Sequence, residues 1–196
     1  HCLPPQTSAM SLAVFKTVFR EALAQEIIDA SPAHGVSGPK IMVKSRNFLT
    51  WEEVSNGSFG KYTTHIRFLA LHGLRWSEAV ALTIEDIRDD RVWINKSIHG
   101  QTKSKAGIRS VPLVSPFKVF PKSPKTLRKV LKPYGVDIHS LRHTYAYLLK
   151  QQGVHVTTAQ RLLGHSDPRV TMGIYTQVLD NEIDDVGLLL AKAAGY

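Results

Sequence analysis

Apolar residues recur at helical spacing from Met10 to Ile28, at Leu12, Val14, Phe15, Val18, Phe19, Ala22, Leu23 and Ile27, which predicts an amphipathic helix. Ser31-Pro32, Gly35, Gly38 and Pro39 break that period and read as a linker, with the main domain starting near Arg46. Thr50 ahead of Trp51, Glu52 and Glu53 predicts a capped helix start, because a hydroxyl satisfies a first-turn amide and carboxylates suit the positive end of the helix dipole. A second helix is expected over 63–72, stopped by Gly73, and a third from Ser77 with Glu78 in its first turn. Arg91 to Ser97 (RVWINKS) and Ile108 to Val114 (IRSVPLV) are β-rich runs. The polar stretch between them, His99 to Gly107, supplies a short middle strand or a hairpin tip.

Ser123-Pro124 opens a short helix that carries Leu127, Val130 and Leu131. Helices follow over 140–152, ended by Gly153, and over 157–163, ended by Gly164. Asp167-Pro168 opens another as N-cap and first residue, with Tyr175 at or just beyond its end. The tail starts with Asp180, Glu182, Asp184 and Asp185 and continues as an apolar helix over 186–194. The expected fold is mostly α with one small antiparallel β-sheet, an α+β class.

Composition narrows the function classes. With 43% hydrophobic residues among 196, the chain can bury a core, which argues against disorder. No apolar run approaches the ~20 residues of a membrane span and no signal peptide is visible, so a soluble protein is expected. The single cysteine, Cys2, excludes an internal disulfide framework and fits a reducing compartment such as the cytoplasm. The chain opens on His1 rather than methionine, so more protein is expected upstream.

The formal net charge of +9 is unevenly placed. Residues 91–136 hold eleven basic side chains (Arg91, Lys96, Lys103, Lys105, Arg109, Lys118, Lys122, Lys125, Arg128, Lys129, Lys132) and no carboxylate. A block of unopposed positive charge points to a polyanion, and the usual one is nucleic acid. A lipid surface fits less well, because no basic amphipathic helix with a Trp/Phe face accompanies the block.

Four clusters carry candidate chemistry: GLRWSEA (73–79), QTKSKAGIRSVPL (101–113), HSLRHTYA (139–146) and LLGHSDPRVTMGIYTQV (162–178). Each has an ordinary structural reading. Arg75 can cap carbonyls at a helix end, Lys103 and Lys105 can decorate a solvated turn, His139 and Arg142 can serve a surface salt bridge, and Tyr175 can be a core aromatic. Together they form the set that metal-free phosphodiester transfer needs. Guanidinium forks bind non-bridging phosphate oxygens and balance transition-state charge. A tyrosine attacks phosphorus and holds it covalently, and a lysine or histidine protonates the departing sugar oxygen.

On these residues the sequence resembles the catalytic domain of the tyrosine recombinases, or phage integrases, from about Phe48 (FLTWEE) to Val178. The order Arg … Lys … His-x-x-Arg … His … Tyr, with LGH ten residues before the tyrosine, carries the likeness. The resemblance implies that Arg75, His139, Arg142 and His165 bind the scissile phosphate, that Glu78 buttresses the pocket, and that Tyr175 is the nucleophile. It implies a hairpin lysine as general acid, Lys103 ahead of Lys105. Residues 1–45 resemble the last helix and linker of a core-binding domain, and 46–196 a catalytic domain whose tail helix docks on a neighbouring protomer or packs on its own domain. The segment from Val114 to Ile138 is shorter than the family usually has, by about one helix.

What the resemblance implies about partners is double-stranded DNA at attachment or crossover sites, a homo-tetramer on that DNA and an accessory DNA-bending protein, with no metal, no cofactor and no membrane. Type IB topoisomerases share the same arginine, lysine and tyrosine chemistry, and a DNA-binding protein without catalysis is a further alternative. His139 and His143 stand i, i+4 as in a helical zinc site, but Ser140 occupies the place of the expected glutamate.

Overall fold

The computed structural model describes residues 4–39, 47–101 and 105–175. The chain divides into two compact units, His1–Ser45 and Arg46–Tyr196. The candidate residue Lys103 and the tail helix over 186–194 lie outside the described residues, and nothing is described of the Lys105 side chain.

In the first unit, α1 spans Pro5–Ala24, five residues earlier at its start than the apolar period suggests and four earlier at its end. Pro5 pre-sets the first turn, where a missing N–H costs nothing. The C-terminal end closes as a Schellman motif: Ile27 N–H donates to the Ala22 carbonyl and Glu26 N–H to that of Leu23, with Glu26 at φ 55°. Ile27 therefore belongs to the cap and not to the helix.

The second unit is mostly helical. α2 (Trp51–Asn56) starts on the expected capping box, in which Thr50 Oγ accepts from Glu53 N–H and the Glu53 carboxylate accepts from Thr50 N–H. α3 (Thr63–His72) ends at Gly73, whose φ of 63° suits glycine, and α4 (Trp76–Ala81) follows after Leu74 and Arg75. The β-rich runs resolve into β1 (Ile87–Arg88), β2 (Arg91–Ile94), β3 (Lys96–Ser97), β4 (Gly100–Gln101) and β5 (Arg109–Pro112). These strands form two antiparallel sheets where one was expected: β1-β2-β5, and the small hairpin β3-β4. Asn95 separates β2 from β3, so the first β-rich run serves both sheets. Then come α5 (Lys125–Leu131), α6 (Ser140–Gln151), α7 (Val156–Leu163), closed by Gly164 at φ 67°, and α8 (Pro168–Tyr175).

α3 packs along α6 at the centre. Ile66, Phe68 and Leu69 from α3 meet Leu141 from α6, Leu127 and Leu131 from α5, and Val92, Ile94 and Val111 from the sheet, all essentially without solvent exposure. Each such side chain contributes roughly 1.5–3 kcal/mol by leaving water. His72 is part of this core. Its Nδ1 donates to the Phe68 carbonyl and its Nε2 accepts from Val114 N–H, so the ring is the neutral Nδ1–H tautomer and ties α3 to the chain just after β5. Among the described residues no helix is long and apolar enough to cross a membrane.

Candidate active site

The site is assembled where two helices end. Gly73, just past α3, and Gly164, just past α7, both turn through positive φ, and each helix C-terminus there leaves carbonyls without an intrahelical donor. Arg142, on α6 and 2% exposed, donates from Nη1 to the Gly73 carbonyl at 2.7 Å and from Nη2 to the Leu163 carbonyl. Arg75 donates from Nη2 to the Gly164 carbonyl at 3.1 Å. The two arginines, 67 positions apart in sequence, are thus seated on neighbouring carbonyls at the end of α7. The partial negative charge of a helix end suits both.

Glu78 stands behind Arg75. Its Oε1 accepts from Arg75 Nη1 at 2.7 Å and its Oε2 from Arg75 N–H at 2.8 Å, so one carboxylate fixes both the side chain and the helix start. Burial alone would raise the Glu78 pKa. The adjacent Arg109 and Arg75 outweigh it and hold the pKa at about 2, so the group is an anion at every physiological pH.

Arg109 was not singled out by motif, although it lies in the QTKSKAGIRSVPL cluster. Its guanidinium grips Glu78 through Nη2 to Oε2 at 2.9 Å and Nη1 to Oε1 at 3.2 Å, and its Nε donates to the Leu162 carbonyl at 2.7 Å. Strand alternation was the available signal. Arg109, Val111 and Leu113 share one face of IRSVPLV, and the Val111 face is the core. An arginine on a core face must have found partners.

His165 follows Gly164 directly. Its Nδ1 lies 2.8 Å from Oγ1 of the buried Thr171 on α8. Burial, then the charges of Arg142, Arg75 and Arg109 and that of His139, press its pKa down to about 3, so the ring is neutral. His139 sits exposed at the N-cap of α6, edge-on to His143 with ring centres 5.3 Å apart. Beside the cluster a cavity of about 620 Å³ is lined by Arg91, Arg109, Ser110, Arg161 and His165, among others.

Tyr175 is the last residue of α8 and is half-buried. Its hydroxyl donates to the Val154 carbonyl, in the loop between α6 and α7, at 3.2 Å, and burial raises its pKa. The folded chain therefore brings Arg75, Arg142, His165 and Glu78 together and adds Arg109, while the Tyr175 hydroxyl is tied to a different loop. Among the described residues no three His, Cys, Asp or Glu side chains group as a metal site.

Net charge at the cluster is positive, with three guanidinium groups against one carboxylate. Arg142 is buried and Arg75 partly exposed, and guanidinium groups in such a setting offer charge-assisted hydrogen bonds to an anion.

Known proteins resemble the chain in sequence and in fold. The phage integrase family model matches residues 118–182. The tyrosine recombinase XerC of Caldanaerobacter subterraneus subsp. tengcongensis is 28% identical over 205 residues, covering 86% of this chain and 57% of the relative, so the chain spans a little over half of that protein. Among solved structures, the Tn1549 transposon integrase in complex with a circular intermediate DNA superposes with a TM-score of 0.74 at 17% identity, over 96% of this chain and 80% of that one. A lambda integrase tetramer bound to a Holliday junction superposes with a TM-score of 0.63 at 18% identity, over 88% of this chain and 62% of that one. The matched family region holds HSLRH, LGH and Tyr175, and the fold agrees around them; the chain belongs to the phage integrase family, the tyrosine recombinases.

Proposed function

We propose that the chain is the catalytic part of a site-specific DNA recombinase that cuts and rejoins DNA strands through a 3′-phosphotyrosyl intermediate, without metal or ATP. The observation that carries this reading is the convergence of Arg75, Arg142 and His165, from three separate sequence clusters, on the end of α7. In the first step the Tyr175 phenol oxygen bonds to the scissile phosphorus, its proton passing to a base, while the P–O5′ bond breaks and the 5′ oxygen takes a proton. The reverse attack by a 5′-hydroxyl rejoins a strand and frees the tyrosine. The phosphate's bond energy is kept in the covalent link.

The residues divide the work. Arg75 and Arg142 hold the non-bridging oxygens and offset developing charge, with Glu78 keeping Arg75 in place. Neutral His165, and His139 at the mouth of α6, offer hydrogen bonds or accept a proton near the phosphate. Lys103 is the general acid, with Lys105 the alternative. Tyr175 must leave Val154 before it attacks, so DNA binding or assembly has a hydroxyl to release. The exposed basic side chains of α5, Lys125, Arg128 and Lys129, with Lys132 after it, serve the DNA backbone. Assembly as a homo-tetramer on DNA in the host cytoplasm, with an accessory DNA-bending protein, completes the reading; the tetrameric lambda integrase relative supports the first part.

The test is to incubate the chain with nicked suicide duplexes in EDTA without ATP and to look for covalent protein–DNA adducts on denaturing gels. Adduct under those conditions is expected. Cleavage that requires a divalent metal, or relaxation of supercoils without any paired site, would overturn the reading.

A further inference from the structure

Arg109 is placed oddly for a member of the basic block. Its side chain is 5% exposed, against 39% for Arg75, so it offers little surface to a substrate. Alternation along β5 turns it inward beside Val111, and pairing of β5 with β2 sets it opposite Ile94. Both directions are dictated by strand geometry. The guanidinium then meets a charge that can neutralise it there, Glu78.

The Glu78 carboxylate is saturated as a result. An ionised carboxylate has about four acceptor positions. Four donors fill them: Nη1 and the backbone N–H of Arg75, and Nη1 and Nη2 of Arg109. With Arg109 absent, Glu78 and Arg75 would form a closed one-to-one pair, and Arg75 would have little charge left for a phosphate. With Arg109 present, one carboxylate is shared by two cations and Arg75 keeps a surplus.

The same residue also reaches the helix end that seats the other arginines. Three consecutive carbonyls, of Leu162, Leu163 and Gly164, accept from Arg109, Arg142 and Arg75 in that order. Arg109 therefore links Glu78 on α4 to the end of α7, the two supports between which Arg75 is held. Packing is close at this point: a Cβ on Gly164 would lie 2.8 Å from Arg109 Nη1.

We infer that Arg109 is a positioning residue for strand cleavage, which shares the charge of Glu78 and bolts it to the α7 terminus so that Arg75 meets the scissile phosphate in a fixed place with its charge unspent. This inference rests on the recombinase reading above. Arg109 touches no reacting atom; it acts through Glu78 and Arg75.

The experiment is a double-mutant cycle of Arg109→Gln and Glu78→Gln, read in two ways: the first-order rate of adduct formation at saturating protein, and the affinity for the same duplex. Arg109→Gln slows adduct formation about 100-fold, the size expected when a catalytic group is displaced by an ångström, and leaves duplex affinity as in the wild type. Because both residues serve Arg75, the double variant is no slower than the slower single one. Arg109→Lys keeps the charge but loses the fork, and its rate falls between. Should Arg109→Gln fail to fold, Arg109→Lys carries the test alone. An unchanged rate, multiplying losses, or a rate and an affinity that fall together would each overturn the inference. The two failures separate: no adduct from the wild type sinks the recombinase reading and this one with it, whereas an active wild type with an unimpaired Arg109→Gln sinks this one only.

Discussion

His165 Nδ1 and Thr171 Oγ1 lie 2.8 Å apart, and Thr171 is fully buried, so the imidazole of the LGH turn is oriented by a hydroxyl from the same helix that carries Tyr175. The ring nitrogen that faces the site is thereby decided from six residues downstream. Replacing Thr171 with Val removes the hydroxyl at similar volume. The expected result is adduct formation slowed about 10-fold or more, with stability lowered by about 1 kcal/mol. Thr171→Ser should restore most of the rate, as read on the same nicked duplex.

Binding an anion should change His165. In the free chain, burial and the charges of Arg142, Arg75 and Arg109 hold its pKa at about 3. A phosphate seated among those arginines adds negative charge beside the ring and favours the imidazolium, so the pKa moves up. Histidine NMR titrations with and without duplex DNA, using Tyr175→Phe to prevent turnover, should show that rise.

Acid should destabilise the fold earlier than its carboxylates alone predict. His72 has a folded pKa of about 4, lowered by burial and partly raised again by its bond to Phe68, below the ordinary 6.5. The unfolded chain therefore takes up the proton first, and stability is lost as pH falls from about 6.5 towards 4, a loss of roughly 3 kcal/mol from this residue. His165 adds to the same slope, and Glu78 adds a later one, between its ordinary 4.5 and about 2. Urea unfolding from pH 7.5 to 4.5 should show the first part, and His72→Gln should flatten it.

Gly164→Ala tests the turn that seats the arginines. The φ of 67° strains any L residue, and a Cβ would fall 2.8 Å from Arg109 Nη1 and 2.9 Å from the Ala106 carbonyl. A stability loss of about 1–3 kcal/mol is expected, together with a loss of cleavage larger than that of exposed-surface variants. Thermal melts and adduct rates measured side by side separate the two effects.

The basic face of α5 has its own signature. Substituting Lys125, Arg128 and Lys129 by Gln should weaken duplex binding without regard to sequence and lower the salt slope by about 0.9 for each DNA phosphate left without its cation. Titrations at several salt concentrations supply the slope.

Local signals located most of these parts in the sequence. Gly73 and Gly164 mark helix ends because positive φ is written in residue type, and Thr50 with Glu53 marks a start because both partners of the capping box lie within one turn. What periodicity alone could not supply is partnership at a distance. Arg109 counts as one more positive charge in the block from 91 to 136, yet its partners are Glu78, 31 positions earlier, and Leu162, 53 later. Arg91, too, spends its side chain on Ser110, and Lys96 on Asp86. The charge count over 91–136 therefore includes cations that are already partnered within the chain. Glu26 ends α1 in a conformation that composition would assign to glycine, which is why the apolar period outlasts the helix.

The central claim is that Tyr175 attacks phosphorus at a site built by Arg75 and Arg142. Its most direct measurement is the covalent adduct formed on a nicked suicide duplex, resolved on a denaturing gel and mapped by mass spectrometry. Wild type should give a DNA-linked peptide containing Tyr175, and Tyr175→Phe should give none while still binding the duplex. An adduct that persists in Tyr175→Phe, or one mapped to another residue, would contradict the account.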